Sequence, residues 1–306
     1  MHTPQLKRSL SLGLLTLYGL GTTIGAGIFV LIGKVAGAGG ELAPVSFLLA
    51  AAIAGLSALS FAEMSSRFPE SAGEAVFVKE GLNSSFLALL IGLTVAGAGI
   101  VSTATIVVGF SGYLSDIATV SREGAEIAVT LILAAIAIWG IRVSVSIAAI
   151  ITLVEIGVLV VIIVFGVSFE FGDTIGGTVP PADPSTPGWS GVIYGAILAF
   201  YAFIGFEDIV NVAEETRDAR VIIPRAIILT LAVTTILYGA ISLIAVSVVA
   251  PNDLAASDAP LTLLFERVSG LPGGTITLII AIVSVLNGAL IQVIMVSRVL
   301  YGLTRR

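Results

Sequence analysis

The stretch YGLGTTIGAGIF, residues 18–29, lies in the middle of an apolar run from about 10 to 36. Gly19, Gly21, Gly25 and Gly27 fall close together there, with Thr22 and Thr23 among them. About 20 mostly apolar residues are enough to cross a bilayer as a helix. Glycine at this density lets helices approach closely, and it also lets the chain unwind at membrane depth. Unwound backbone at that depth needs partners, which only protein or a cavity supplies. The amides freed at one broken end attract an anion, and the carbonyls freed at the other attract a cation. The stretch therefore reads as a discontinuous membrane helix suited to a zwitterion.

The rest of the chain fits that setting. Of its 306 residues, 57% are hydrophobic and only 11% are charged, against about 25% charged in a soluble domain. The mean hydropathy is +1.11. Eight stretches have the length and character of membrane helices, near 10–36, 42–66, 83–113, 125–141, 144–168, 190–213, 223–250 and 274–303. The first is not a signal peptide, because no polar mature chain follows it. With no cysteine and a single histidine, His2, disulfides, a His/Cys metal centre and a His-based catalytic triad are excluded. No cofactor and no nucleic-acid partner is expected.

Charge sets the orientation. With both termini cytoplasmic, Lys7, Arg8, Arg67, Lys79, Arg142, Arg217, Arg220, Arg225, Arg298, Arg305 and Arg306 fall inside, and only Lys34, Arg122 and Arg267 fall outside. This is the bias of positive-inside topology. The Gly/Pro-rich stretch 169–189, FEFGDTIGGTVPPADPSTPGW, reads as an outer connector between a first group of helices, 1–168, and a second, 190–306.

The sixth stretch carries FYAFIGFEDIVNVAEE, residues 200–215. Gly205 is its natural break point, with Glu207 and Asp208 directly after it. Charges inside a membrane segment usually face a cavity or mark a path, so a second discontinuous helix is expected here. Glu155 is the lone ionisable group in the fifth stretch. It is either a proton carrier or a glutamate hydrogen-bonded to a neighbouring helix. Glu63 and Arg67, four residues apart, should pair on one face of helix two. The segment after Pro69 reads as a polar, Gly-containing cytoplasmic connector. Ser284, Asn287, Gln292 and Ser297 in the eighth stretch either bind helices together or line an ion site.

These residues also carry a family resemblance. GTTIGAGIF (21–29) resembles the helix-one signature of the amino acid–polyamine–organocation superfamily. PESAGEAVFVKEGLN (69–83) resembles the connector after its helix two, although Glu74, Ala75 and Phe77 replace the more usual small and aromatic residues. FIGFEDIVNVAEETRDARVIIPRAI (203–227) is similar to its helix-six signature, and SVLNGALIQVIMVSRVLYGLTRR (284–306) to its eighth helix. The resemblance points toward prokaryotic amino-acid permeases and cationic amino acid transporters.

It implies an all-α membrane protein of LeuT-type fold, built on inverted repeats with helices one and six discontinuous. About eight helices of an expected ten to twelve are present, so a C-terminally truncated chain is expected. Thr22, Thr23, Gly25, Ala26 and Gly27 would hold a substrate carboxylate. Phe203, Ile204 and Gly205 would offer carbonyls to its amino group, with Phe203 a candidate gate and Glu207 beside them. Glu155, Ser284 and Asn287 are the candidates for ion coupling, to a proton or to Na+. The expected function is secondary active transport of amino acids across the cytoplasmic membrane. The alternatives are a non-transporting sensor or partner subunit, or an inactive truncated permease. A membrane enzyme lacks the necessary constellation.

Overall fold

The computed structural model describes residues 6–117, 121–173, 188–257 and 259–304. Eleven α-helices follow in order: α1 (Leu12–Gly39), α2 (Ala43–Arg67), α3 (Gly73–Leu82), α4 (Ser85–Ile117), α5 (Arg122–Ile138), α6 (Ile141–Asp173), α7 (Trp189–Phe203), α8 (Ala219–Val248), α9 (Pro251–Ala256), α10 (Pro260–Ser269) and α11 (Gly274–Thr304). A 3₁₀ segment, Phe206–Glu215, continues from α7. Among the described residues there is no strand, only an isolated parallel bridge between Leu10 and Thr216.

The distribution of side chains is that of a protein dissolved in lipid. Leu56, Phe86, Leu131, Ile236 and Leu243 are exposed. The interior is lined in large part by small residues. In α2, Ala50, Ala54 and Ala58 recur every fourth position and are fully buried, forming a smooth stripe against α7 and α8. Gly92 and Gly99 of α4 likewise bring α11 close, so that Leu303 and Val296 pack directly on the helix backbone. Small residues suit this role because lipid gives no hydrophobic drive for association, and close packing has to supply it. Trp139 ends α5 and Trp189 opens α7, both exposed, which suits an interfacial belt.

Seven stretches are long and apolar enough to cross a membrane, against the eight expected. The shortfall is α5, whose 17 residues fall just below the usual length. The protein is a multi-pass membrane protein. Two boundaries also differ from expectation. Within the expected polar connector, residues 73–82 form helix α3, with Ala72, Ala75 and Val76 buried. Ala72 and Ala75 pack with Ala88 and Ala96 of α4 and with Met295 and Val299 of α11. The fifth membrane helix, α6, runs on to Asp173, taking the first residues of the expected outer connector. Residues 174–187 of that connector lie outside the described part.

Candidate functional site

The first helix is interrupted where its glycines cluster. Gly25 has φ 17° and ψ −154°, outside the helical range. The α1 helix is therefore kinked at Gly25, and a helix interrupted in this way has end groups that look for partners outside its own ladder. The second interruption is sharper. α7 ends at Phe203, Ile204 is extended, and Gly205 adopts φ 129°, a conformation that L side chains avoid.

The two breaks meet. A Cβ on Gly205 would lie 2.9 Å from the carbonyl carbon and oxygen of Thr22. Gly27, beyond the α1 break, faces Ala202 near the end of α7, where an added Cβ would sit 3.5 Å from the Ala202 Cα. Tyr238, a fully buried residue of α8, stands behind both. Its hydroxyl lies 2.8 Å from the carbonyl of Thr23 and 3.2 Å from that of Ala202. Phe203 is buried edge-on to the Tyr238 ring, with centroids 5.1 Å apart.

The threonines point elsewhere. The Thr22 hydroxyl donates within its own helix, toward the carbonyls of Gly19 at 2.9 Å and Tyr18 at 3.1 Å, and that of Thr23 donates to Gly19 at 2.8 Å. With both hydroxyls donating to the preceding turn, the groups left at the break are those of the backbone. Gly25 and Gly27 lie at that break, and Ala26 lies between them with its side chain outside the described part. Ile204 is exposed at its break, whereas Phe203 is buried. Glu207 turns back so that its Oε2 accepts from the Gly205 amide at 2.8 Å, which braces the turn.

A separate polar node lies between α6 and α11. The Asn287 Nδ2 donates to Thr152 Oγ1 at 2.9 Å and is 3.3 Å from both oxygens of Glu155. Ser284 sits beside Glu155, yet its Oγ and the Asn287 Oδ1 lack a partner in hydrogen-bonding geometry. All four side chains are buried. The node abuts the first half of α1, since a Cβ on Gly21 would lie 2.8 Å from Asn287 Nδ2. Among the described residues no group of His, Cys, Asp or Glu is arranged to hold a metal ion.

Two of the buried polar groups gave no sequence signal of their role. Tyr238 and Thr152 look like ordinary polar residues of apolar helices. Asp208 accepts from Gln292 Nε2 at 3.0 Å, and Glu215 pairs with Arg298 at 2.7 Å. The backbone amides of Ser9 and Leu10 donate to the Glu215 carbonyl at 2.8 and 3.0 Å, which ties the N-terminal segment to the far end of the 3₁₀ segment.

Two discontinuous helices meeting at their breaks inside an apolar bundle define a broken-helix membrane protein. The chain belongs to the amino acid permease family, whose model matches residues 11–306, and its architecture agrees with the LeuT-type fold. It is similar to the branched-chain amino acid permease of Bacillus subtilis strain 168, with 32% identity over 98% of this chain and 66% of that protein. It resembles the methylthioribose transporter of the same organism at 31% identity, over 78% of this chain and 55% of that protein. The vacuolar cationic amino acid transporter 2 of Arabidopsis thaliana is 32% identical over 86% of this chain and 44% of its own length. The chain thus spans between 44% and 66% of the length of these three relatives.

Proposed function

We propose that this chain forms the substrate-binding part of a secondary transporter that moves amino acids across the cytoplasmic membrane by alternating access. The observation that carries the reading is the meeting of the two helix breaks, Gly205 against Thr22. Amides at the α1 break, from Gly25 to Gly27, would take the substrate carboxylate. Carbonyls at Phe203, Ile204 and Gly205 would take its ammonium group, and Tyr238 would hold the two breaks in register. A zwitterion fits because it presents to each broken end the charge that end lacks. The names of the relatives support amino acids as the solute class.

In this reading residues 1–168 form the first repeat, 169–189 the outer connector and 190–306 the second repeat as far as it extends, with both termini cytoplasmic. The Glu155–Asn287–Ser284 node, next to α1, is the place where a proton or Na+ would be coupled. The test is uptake of radiolabelled amino acids into proteoliposomes under an imposed proton or sodium gradient. Saturable uptake that is lost in Gly205→Ala is the expected result. Absence of both uptake and binding for every amino-acid class would sink the proposal.

A further inference from the structure

The two helix breaks leave short halves on the same side of the molecule, residues 12–24 of α1 and the 3₁₀ segment, and these are joined to each other. The amides of Ser9 and Leu10 donate to the Glu215 carbonyl at 2.8 and 3.0 Å, and the Arg217 amide donates back to the Leu10 carbonyl at 3.0 Å. Further in, Gly19 of α1 packs its backbone against the Ile209 side chain. Opposite them, α3 and α11 are joined as closely. Ala72 and Ala75 pack with Met295 and Val299, and the backbone of Gly302 lies against the Ser71 carbonyl.

What passes between these two bodies is mostly polar. Arg298 of α11 donates to Glu215 at 2.7 Å, and Gln292 of the same helix donates to Asp208 at 3.0 Å. The Gly73 amide donates to Asn211 Oδ1 at 3.1 Å, Asn211 Nδ2 donates to Glu74 Oε1 at 3.3 Å, and the Ser71 amide donates to Glu214 at 3.4 Å. Apolar contact along this line includes Val210, on the Gly73 backbone, and Phe61 of α2, edge-on to both Phe77 and Phe206. The hydroxyls of Ser9 and Ser71, residues whose amides join these contacts, are buried without a hydrogen-bond partner.

A seam of this composition parts more readily than the small-residue faces beside it. A buried ion pair gives up the hydration of both partners, and a buried hydroxyl without a partner is costly too. Water entering the seam therefore offsets much of what separation loses. It offers nothing comparable to the Ala and Gly faces that pack α4 on α11. Glu215 holds the central place in the seam, with its side chain 3% exposed and that of Arg298 19%. Its carboxylate is bound to α11, while its carbonyl binds the N-terminal segment. Loss of this one ion pair frees both joined halves together.

We propose that the Glu215–Arg298 pair is a reversible lock on the α3 side of the two breaks. Paired, it holds the joined halves of α1 and the 3₁₀ segment against α3 and α11, and shuts the breaks off from water on that side. Parted, with both charges hydrated, it lets the joined halves swing away about Gly25 and Gly205, where the backbone already departs from the helix. The lock rests on the transport reading for its part in the passage of a solute, but not for its existence.

The chain contains no cysteine, so single cysteines report cleanly. Val212→Cys places a thiol in the buried 3₁₀ segment, Val192→Cys a buried thiol in α7 on the other side of the breaks, and Glu80→Cys an exposed reference on α3. The measurement is the rate at which a charged thiol reagent labels each buried thiol in the purified protein, divided by the rate at the reference. Glu215→Gln, and independently Arg298→Gln, should raise the Val212 ratio by roughly fivefold or more and leave the Val192 ratio within about twofold. Either variant decides alone should the other fail to fold. An unchanged Val212 ratio, or an equal rise at Val192, overturns the lock. Uptake is not needed for this readout, so failure of the transport reading and failure of the lock are separate results.

Discussion

Gly205 shows how a single position controls the candidate site. Its φ of 129° and the Thr22 carbonyl 2.9 Å from any added Cβ leave room for hydrogen alone. Gly205→Ala should therefore destabilise the protein by about 1–3 kcal/mol as well as abolish substrate binding, read by thermal unfolding in detergent and by ligand-induced thermal shift. Gly27→Ala is the control. Its Cβ would make ordinary contact with Ala202 at 3.5 Å, so a change within about 1 kcal/mol is expected. At this scale the glycines were legible, because their spacing is itself the signal. The directions of the Thr22 and Thr23 hydroxyls were not. A threonine inside a helix can return its proton to the preceding turn, and only the backbone geometry shows that it does.

Between elements, what matters is how the broken ends are held. Tyr238 of α8 reaches the carbonyls of Thr23 and Ala202 from behind. Tyr238→Phe keeps the ring contacts with Phe203 and Phe47 and removes only the hydroxyl. It should cost about 1–3 kcal/mol, since the buried carbonyls lose a donor, and weaken substrate affinity more than maximal rate in an uptake assay. A loss confined to stability, with unchanged affinity, would remove Tyr238 from the site.

The two ion pairs provide a contrast of the same kind. Glu215 is almost wholly buried against Arg298, so Arg298→Ala strands a buried charge and should cost about 3–5 kcal/mol. The Glu63–Arg67 pair, anticipated from its spacing and present in α2, is largely exposed. Its loss should be hard to measure by the same unfolding assay. The helical form of α3 was not legible in the sequence. Hydropathy registers Glu74, Lys79 and Glu80 as polar, whereas the folding of 73–82 into a helix depends on Ala72, Ala75 and Val76 meeting α4 and α11.

For the whole molecule, the distribution of Lys and Arg predicts which side each loop faces. Cysteines introduced at Arg220 and at Asp253 should react with an impermeant reagent from opposite sides of the membrane, Arg220→Cys only from the cytoplasm. Labelling of both from one side would invert or break the proposed topology. Membrane residence and the order of the long helices were determined by the sequence alone, since lipid solvation depends on the average character of about 20 consecutive residues. The two glycine-rich break points belong there too, because backbone freedom is a local property.

Tertiary structure decided the rest. It brought Gly205 to Thr22, Tyr238 behind both breaks, Asn287 to Glu155 and Asn211 to Glu74. These partners lie far apart in sequence, and nothing in either partner's own neighbourhood encodes the distance between them. That distance follows from how the small-residue faces of the helices pack, which is a property of the assembled bundle.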